Sequence, residues 1–277
     1  MQIKQPQLQI ARAYTPLPPS ASTSSSSDAG SPESRQDGDI RLLIRREEKG
    51  EVSGYLHALP EHATVELRGP NVELEIPGNV KEVLFLAGGT GIATAMQVAC
   101  ALAQREEGPR MHVLWANRRR EDALGGRSDT VVEGPRVSRL SGWRSLFGLE
   151  EEVVTGDGNG NGSGSDVDER PGVVVGELES IRRRFRRGNN MALGVDYFVD
   201  EEGSFIKPKD VLRQIQRPAK VGEKASTGSK LILVSGPEGF IKYWAGPKVW
   251  ADGGEVQGPL GGVLSQLNLK GWTVWKL

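Results

Sequence analysis

Val83-Leu84-Phe85-Leu86-Ala87 runs without interruption into Gly88-Gly89-Thr90-Gly91, and an apolar, alanine-rich stretch from Ala95 to Ala103 follows. A short run of consecutive apolar residues, a glycine turn and a helical stretch predict a buried parallel strand, a tight loop and a crossover helix. Glycine suits such a turn because a Cβ would block the approach of a phosphate to the backbone. The helix that follows would aim free N–H groups and the positive end of its dipole at that phosphate. Taken alone, the same pattern also describes a turn that binds nothing.

The rest of the chain must supply the partners of that strand. Met111 to Asn117 reads as a second parallel strand, and Arg118, Arg119 and Arg120 follow at its C-terminal end. Ligands of open α/β sheets bind at such ends. The arginines would suit a ribose phosphate, or simply form a solvated turn. Lys230 to Ser235 reads as another buried strand, leading into Gly236-Pro237-Glu238-Gly239-Phe240 and a helix to Ala245. A second glycine turn at a strand's C-terminal end would complete the wall of a nucleotide crevice. Tyr197 to Ile206 reads as an edge hairpin, Lys209 to Ile215 as a short helix and Trp272 to Leu277 as a terminal strand.

Upstream of residue 78 the pattern changes. Apolar residues alternate at Ile40, Leu42 and Ile44, and again at Val72, Leu74 and Ile76, while Thr64 to Pro70 forms another half-buried run. Strands without a long helix predict an antiparallel sheet or barrel. Arg41 and Arg45 fall on the opposite face from Ile40, Leu42 and Ile44 and read as solvated. Arg12, Tyr14 and Thr15 lie on the first strand region, with a planar cation for phosphate, a ring for stacking and a hydroxyl. An ordinary edge strand ending at Pro16 is the alternative. Val52 and Ser53 sit at a turn entering a short helix, suited to a diphosphate or to simple capping.

Two tracts look unfolded: Ser20 to Gly38, rich in Ser, Pro, Asp and Gly, and the Gly/Asn/Asp run Thr155 to Asp166 within an insertion of about 124–172. Trp143, Leu146 and Phe147 in that insertion are candidate docking residues. The basic run Ile181 to Arg187 reads as a solvated helix face or a patch for an acidic partner. The formal net charge of −1 gives no global attraction to nucleic acid or an anionic membrane. Cys100 is the single cysteine, so no internal disulfide forms. His57, His62 and His112 have no ligand-spaced partners, and no metal site is expected. No stretch approaches the roughly 18–20 apolar residues of a membrane helix, and the N-terminus resembles neither a secretory signal nor a transit peptide.

Three separated motifs occur in order. Arg12-Ala13-Tyr14-Thr15 resembles the Arg-x-Tyr-Ser/Thr flavin motif. Gly88-Gly89-Thr90-Gly91 resembles a nicotinamide-nucleotide motif, and Ser235-Gly236-Pro237-Glu238-Gly239-Phe240 resembles a Cys-Gly-Pro-x-x-Phe/Met motif. Together they resemble the ferredoxin–NADP reductase superfamily, in its NADH–cytochrome b5 reductase-like branch. Trp115 to Arg120, the Gly-rich insertion and the Trp-Lys-Leu end are most similar to the fungal mitochondrial cytochrome c import factors.

The resemblance implies an α/β plus all-β architecture. An antiparallel FAD-binding β-barrel would occupy 1–78, with a disordered loop at 20–38, and a ferredoxin-reductase-type NAD(P)H-binding domain with a parallel sheet would occupy 79–277. FAD and NADH or NADPH are the implied cofactors. Arg12 would hold the FAD diphosphate, Tyr14 and Thr15 would contact the isoalloxazine, and Val52 and Ser53 would form the second diphosphate turn. Gly88, Gly89, Thr90 and Gly91, with Arg118 and Arg119, would bind the nicotinamide nucleotide, and Ser235, Gly236 and Pro237 would line its ring pocket. Thr15 and Ser235 are the implied catalytic residues.

The implied activity is an NAD(P)H-dependent flavin oxidoreductase passing electrons to a haem acceptor for mitochondrial cytochrome c maturation, at the inner membrane. A plain NADH–cytochrome b5 reductase, with cytochrome b5 as partner, and a non-enzymatic assembly or import factor that has lost flavin remain open. The chain departs from the family in three ways. Ser235 replaces the usual Cys, and Thr94 stands where Pro usually begins the helix. Only eleven residues precede Arg12, so the expected barrel is N-terminally truncated, and a missing upstream segment would hold any targeting sequence and membrane anchor.

Overall fold

A computed structural model describes residues 1–19, 39–105, 109–130, 170–188, 192–217, 228–251 and 253–277. The N-terminal part is a three-stranded antiparallel sheet in the order β2-β1-β3, built from β1 (Gln2–Gln5), β2 (Ile10–Ala13) and β3 (Glu66–Arg68). Helix α1 (Glu51–Ala58) packs on the β1–β2 hairpin and buries Val52 and Ser53. The two other alternating runs form no ladder. Residues 40–46 form no strand and pair only through an isolated antiparallel Pro16–Leu42 bridge outside the named strands. Residues 71–76 are irregular, with Leu74 and Ile76 packed against the larger core.

That core belongs to a five-stranded, wholly parallel sheet in the order β10-β7-β4-β5-β6. Its strands are β4 (Glu82–Gly88), β5 (Arg110–Asn117), β6 (Ala192–Val199), β7 (Lys230–Ser235) and β10 (Trp272–Lys276). The hairpin β8 (Val249–Ala251) and β9 (Gly254–Val256) precedes β10.

Every residue of β4 is buried, as a central strand covered on both faces requires. Val83, Phe85 and Ala87 point into a core shared with α2 (Ile92–Ala103) and α3 (Val173–Gly188). Leu84 and Leu86 point into another shared with α4 (Pro208–Ile215) and α5 (Glu238–Ala245). At the start of β4 the buried Glu82 carboxylate meets Arg110 at 2.7 Å and Lys230 at 3.4 Å, tying three strands together. From β4 the chain moves outward through β5 to β6, then returns to place β7 and β10 on the other side of β4. The β4–β7 boundary is therefore the switch point of the sheet, where a crevice opens at the strand ends.

Several sequence expectations change. The run from Tyr197 is the end of β6, a parallel edge strand paired with β5, and not a hairpin. A single turn of 3-10 helix, Asp200–Glu202, closes it. Residues 124–130, read from sequence as the start of the insertion, are placed against β6. Ser128 Oγ accepts from Tyr197 N at 2.8 Å, and Asp129 Oδ2 accepts from Val195 N at 2.9 Å, so side chains cover the free edge of β6. The basic run is the second half of α3, whose apolar stripe Val174, Val175, Leu178 and Ile181 packs on the core. The tract at 20–38, the Gly/Asn/Asp run and Trp143, Leu146 and Phe147 lie outside the described residues.

Candidate functional site

A cleft of about 710 Å³ opens at the switch point, between the end of the β1–β2 hairpin and the ends of β4 and β7. Tyr14 and Thr15 line one wall, Thr90, Gly91 and Thr94 the floor, and Ser235 and Gly236 the other wall. The Thr15 and Thr94 hydroxyls share a hydrogen bond at 3.0 Å, and Ser235 Oγ donates to Thr94 Oγ1 at 3.4 Å. One turn along α2, Gln97 Nε2 donates to Pro16 O at 2.8 Å, fixing the hairpin's exit to the helix. Partial burial pushes the Tyr14 phenol pKa up against the opposing pull of the nearby Arg12 charge, so the ring keeps its proton at neutral pH. At the mouth of the cleft Lys248 pairs with Glu73 and with Glu255, linking the 71–76 segment to the β8–β9 hairpin.

The glycine turn has more than one reason for its composition. A Cβ on Gly91 would lie 2.4 Å from Ser235 O, and one on Gly88 would lie 2.9 Å from the Phe240 ring. Gly236, at φ +151°, comes within 2.9 Å of Gly88 O in the same sense. These glycines let the ends of β4 and β7 meet, so packing by itself already demands them. Gly89, at φ +51°, is different: an added Cβ there would meet only Arg45 Nη1, at 3.6 Å, within 4 Å.

A second cavity of about 230 Å³ lies at the ends of β4 and β5, lined by Gly89, Thr90, Trp115, Asn117, Arg45 and Asp122 among others. Leu43 and Thr90 border both cavities. Trp115 Nε1 donates to Gly89 O at 2.9 Å and holds the turn in place. Asn117 is 3% exposed, yet neither its Oδ1 nor its Nδ2 has a partner among the described residues. Buried amides are normally satisfied. An amide with both ends unused can accept from and donate to one ligand. Arg45 and Asp122 form an ion pair across the pocket, and Arg41 pairs in the same way with Glu177 of α3. Neither arginine belongs to a solvated face: both join residues 40–46 to the parallel-sheet side.

The sequence-selected residues divide accordingly. Tyr14, Thr15, Thr90, Gly91, Ser235 and Gly236 come together around the larger cleft, and Gly89 with Thr90 borders the smaller pocket. Arg12, Val52, Ser53, Gly88, Arg118, Arg119 and Pro237 line neither. Arg12 is exposed, opposite Ile3 in the ladder. Ser53 Oγ is engaged within its own turn, accepting from Glu47 N and donating to Gly50 O, each at 3.2 Å. Arg118 and Arg119 are exposed, whereas Arg120 pairs with Glu202. Sequence reasoning passed over Arg45, Asn117 and Gln97, and treated Thr94 only as a helix-start substitution. Asn117 had a local signal, a polar residue closing an otherwise apolar strand at the ligand-binding end; Arg45 had none.

The chain is 23% identical to the cytochrome c mitochondrial import factor of Saccharomyces cerevisiae, over all of this chain and 71% of that protein. It is also 23% identical to an NADH-cytochrome b5 reductase 2 of Kluyveromyces lactis, over 96% of this chain and 67% of that one. Its fold matches part of full-length CYP116B46 from Tepidiphilus thermophilus at a TM-score of 0.51 and 16% identity, covering 99% of this chain and 23% of the other. No protein-family model matches the chain. The sequence and the two-sheet architecture together establish a distant similarity to cytochrome b5 reductase-like proteins of the ferredoxin–NADP reductase superfamily.

Proposed function

We propose that the protein is an FAD-dependent NAD(P)H oxidoreductase, with residues 1–78 and 79–277 as its flavin and nicotinamide-nucleotide domains. The observation that carries this reading is the pair of adjoining cavities sharing Thr90, one with an unsatisfied Asn117 amide and one bounded by an aromatic ring and hydroxyls. Both fall within or near the size range of small-molecule sites, about 300–1,000 Å³.

The residues fit the two groups. Asn117 would hydrogen-bond a sugar hydroxyl of the nucleotide, with Arg45 beside its phosphates and Arg118 and Arg119 at the rim. Tyr14 would pack on the flavin ring and Thr15 would meet its heteroatom edge. A bound flavin would supply hydride acceptance from the nicotinamide and stepwise electron release to a haem acceptor. The protein's part is to hold the two rings together at the switch point and to orient them through the hydroxyls of Thr15, Thr94 and Ser235.

A haem acceptor in mitochondrial cytochrome c maturation is supported by similarity to the import factor, and cytochrome b5 by similarity to the reductase. An assembly factor without flavin is a second reading, favoured by the Ser53 hydroxyl being spent on its own turn and by Arg12 lying outside the cleft. An absorption spectrum of the purified protein with added FAD, followed by anaerobic NADH or NADPH, decides between them. Flavin bands that bleach with either nucleotide support the oxidoreductase; a colourless protein inert to both overturns it. Asn117→Ala is expected to weaken nicotinamide-nucleotide binding about tenfold, the worth of one good hydrogen-bonding group.

A further inference from the structure

Three hydroxyls from distant parts of the chain converge in the larger cleft: Thr15 after β2, Thr94 in the first turn of α2 and Ser235 at the end of β7. Each carries one proton and two lone pairs. The hydrogen bonds Thr15–Thr94 and Ser235–Thr94 use two of the three protons. Ser235 Oγ is oriented as a donor to Thr94 Oγ1 across a long 3.4 Å contact, so its proton is directed at Thr94. The proton left over belongs to Thr94 or to Thr15, according to which of the two donates to the other. Gln97, on the same face of α2 three residues on, fixes Pro16 O and prevents Thr15 from drifting away from Thr94.

We propose that Thr94 is a positioning residue that sets the hydrogen-bond polarity of the cleft. It accepts the Ser235 hydrogen bond and leaves the Thr15–Thr94 pair as the cluster's single donor. That donor serves one acceptor atom on the edge of a planar heteroaromatic ring. Ser235 then orients Thr94 and does not itself donate to the ring. This rests on the flavin reading, with FAD as the ligand.

FAD affinity, measured by fluorescence quenching without reductant, and the flavin visible spectrum test the assignment. Thr94→Val keeps the shape, removes the junction and releases Ser235. It is expected to weaken FAD binding about three- to tenfold, the range for one neutral hydrogen bond, and to shift the visible bands. Thr94→Ser restores both, whereas Ser235→Ala changes affinity less than about twofold, as loss of an indirect contact would. Equal losses in Thr94→Val and Ser235→Ala, or no loss in Thr94→Val, overturn the proposal.

Chemical denaturation of Thr15→Val, Thr94→Val and the double variant supplies a measure that needs no flavin. A double variant that loses less than the two single variants combined supports the bridge, and additive losses overturn it. Should the unsubstituted protein bind no FAD, the flavin reading and the ligand assignment fall together, while the denaturation cycle still tests the bridge. Should Thr94→Val not fold, Thr94→Ala removes the same hydroxyl and takes its place in both measurements.

Discussion

The two sheets hold their shape by different means. The central strand of the parallel sheet, β4, is buried along its whole length, between two apolar cores. In the antiparallel sheet β3 is exposed throughout, β2 is exposed except at Ile10, and β1 buries only Ile3 and Gln5. The first has the apolar burial that drives folding. The second is tied to its neighbour by polar links, Arg41 to Glu177, Arg45 to Asp122, Thr15 to Thr94 and Gln97 to Pro16, beside the packing of Leu17, Leu43, Leu74 and Ile76 on the larger core. A hydrophobic body thus carries a thin sheet on directional contacts, and the candidate site lies along those contacts.

If that contrast is right, core truncation acts very unequally. Phe85 is fully buried at the centre of β4, and Phe85→Ala is expected to cost about 3–5 kcal/mol by urea denaturation. Leu67 on β3 is 44% exposed, and Leu67→Ala is expected to stay within about 0.5 kcal/mol. Similar costs at the two positions would break the comparison.

Glycine substitutions sharpen it at a smaller scale. Gly91→Ala places a methyl 2.4 Å from Ser235 O, where neither backbone can yield without parting the ends of β4 and β7. A loss of about 1–3 kcal/mol is expected. Gly54 lies inside α1 with nothing within 4 Å of an added Cβ. There Gly54→Ala is expected to stabilise the helix by about 0.5–1 kcal/mol. Opposite signs, read as denaturation midpoints, separate a packing glycine from a dispensable one.

How much of this was legible depends on how local each signal was. The strand–turn–helix from Val83 could be read directly, because complete burial of β4 leaves an unbroken apolar run. Ile40 to Ile44 and Val72 to Ile76 alternate as strands do, yet join no ladder. Leu74 and Ile76 reach the larger core while Ile40 and Val72 stay exposed, so alternation reports at most a shared face, and hydrogen-bond partners are a separate matter. The turn after Val199 suggested a hairpin, but it closes a strand whose partner, β5, lies far upstream. Tyr14, Thr15 and Ser235 were identified by motif, and their meeting point, Thr94, was not, because its partners lie 79 and 141 residues away. Arg41 and Arg45 were assigned to solvent by parity alone, when long side chains can cross to another layer.

Acid distinguishes the body from the junction. His112 Nε2 and Asp196 Oδ2 meet at 2.9 Å between β5 and β6, and Thr130 N donates to the other Asp196 oxygen at 2.7 Å. Burial alone would raise the Asp196 pKa, but the His112 hydrogen bond and charge and the Thr130 N–H outweigh it and hold the pKa below the usual carboxylate value. A carboxyl group with a depressed folded-state pKa stabilises the fold above its unfolded value, about 3.9, and this stability is lost as pH falls through the folded value. Asp196→Asn is therefore expected to flatten the acid limb of stability against pH, while Arg45→Gln alters that limb by no more than the about 0.2–1 kcal/mol of its ion pair.

Salt gives the smallest effect and the most selective one. The Arg41–Glu177 and Arg45–Asp122 pairs are about a quarter exposed, so ions screen them only in part. Each is worth about 0.2–1 kcal/mol at most by the standard of partly solvated pairs. The β4 core has no such dependence, because its cohesion is apolar. Hydrogen exchange at low and at about 1 M salt, where the screening length falls to about 3 Å, should accelerate amides of β1 and β2 while leaving those of β4 and β5 unchanged. Replacing both arginines by glutamine should produce the same acceleration at low salt and leave only the smaller further response of the partly exposed Lys4–Glu66 and Lys248–Glu73 pairs. Uniform acceleration across both sheets would mean that the ion pairs are incidental and that the thin sheet is held by the hydroxyl bridge, the Gln97 contact and the packing of Leu17, Leu43, Leu74 and Ile76 on the larger core.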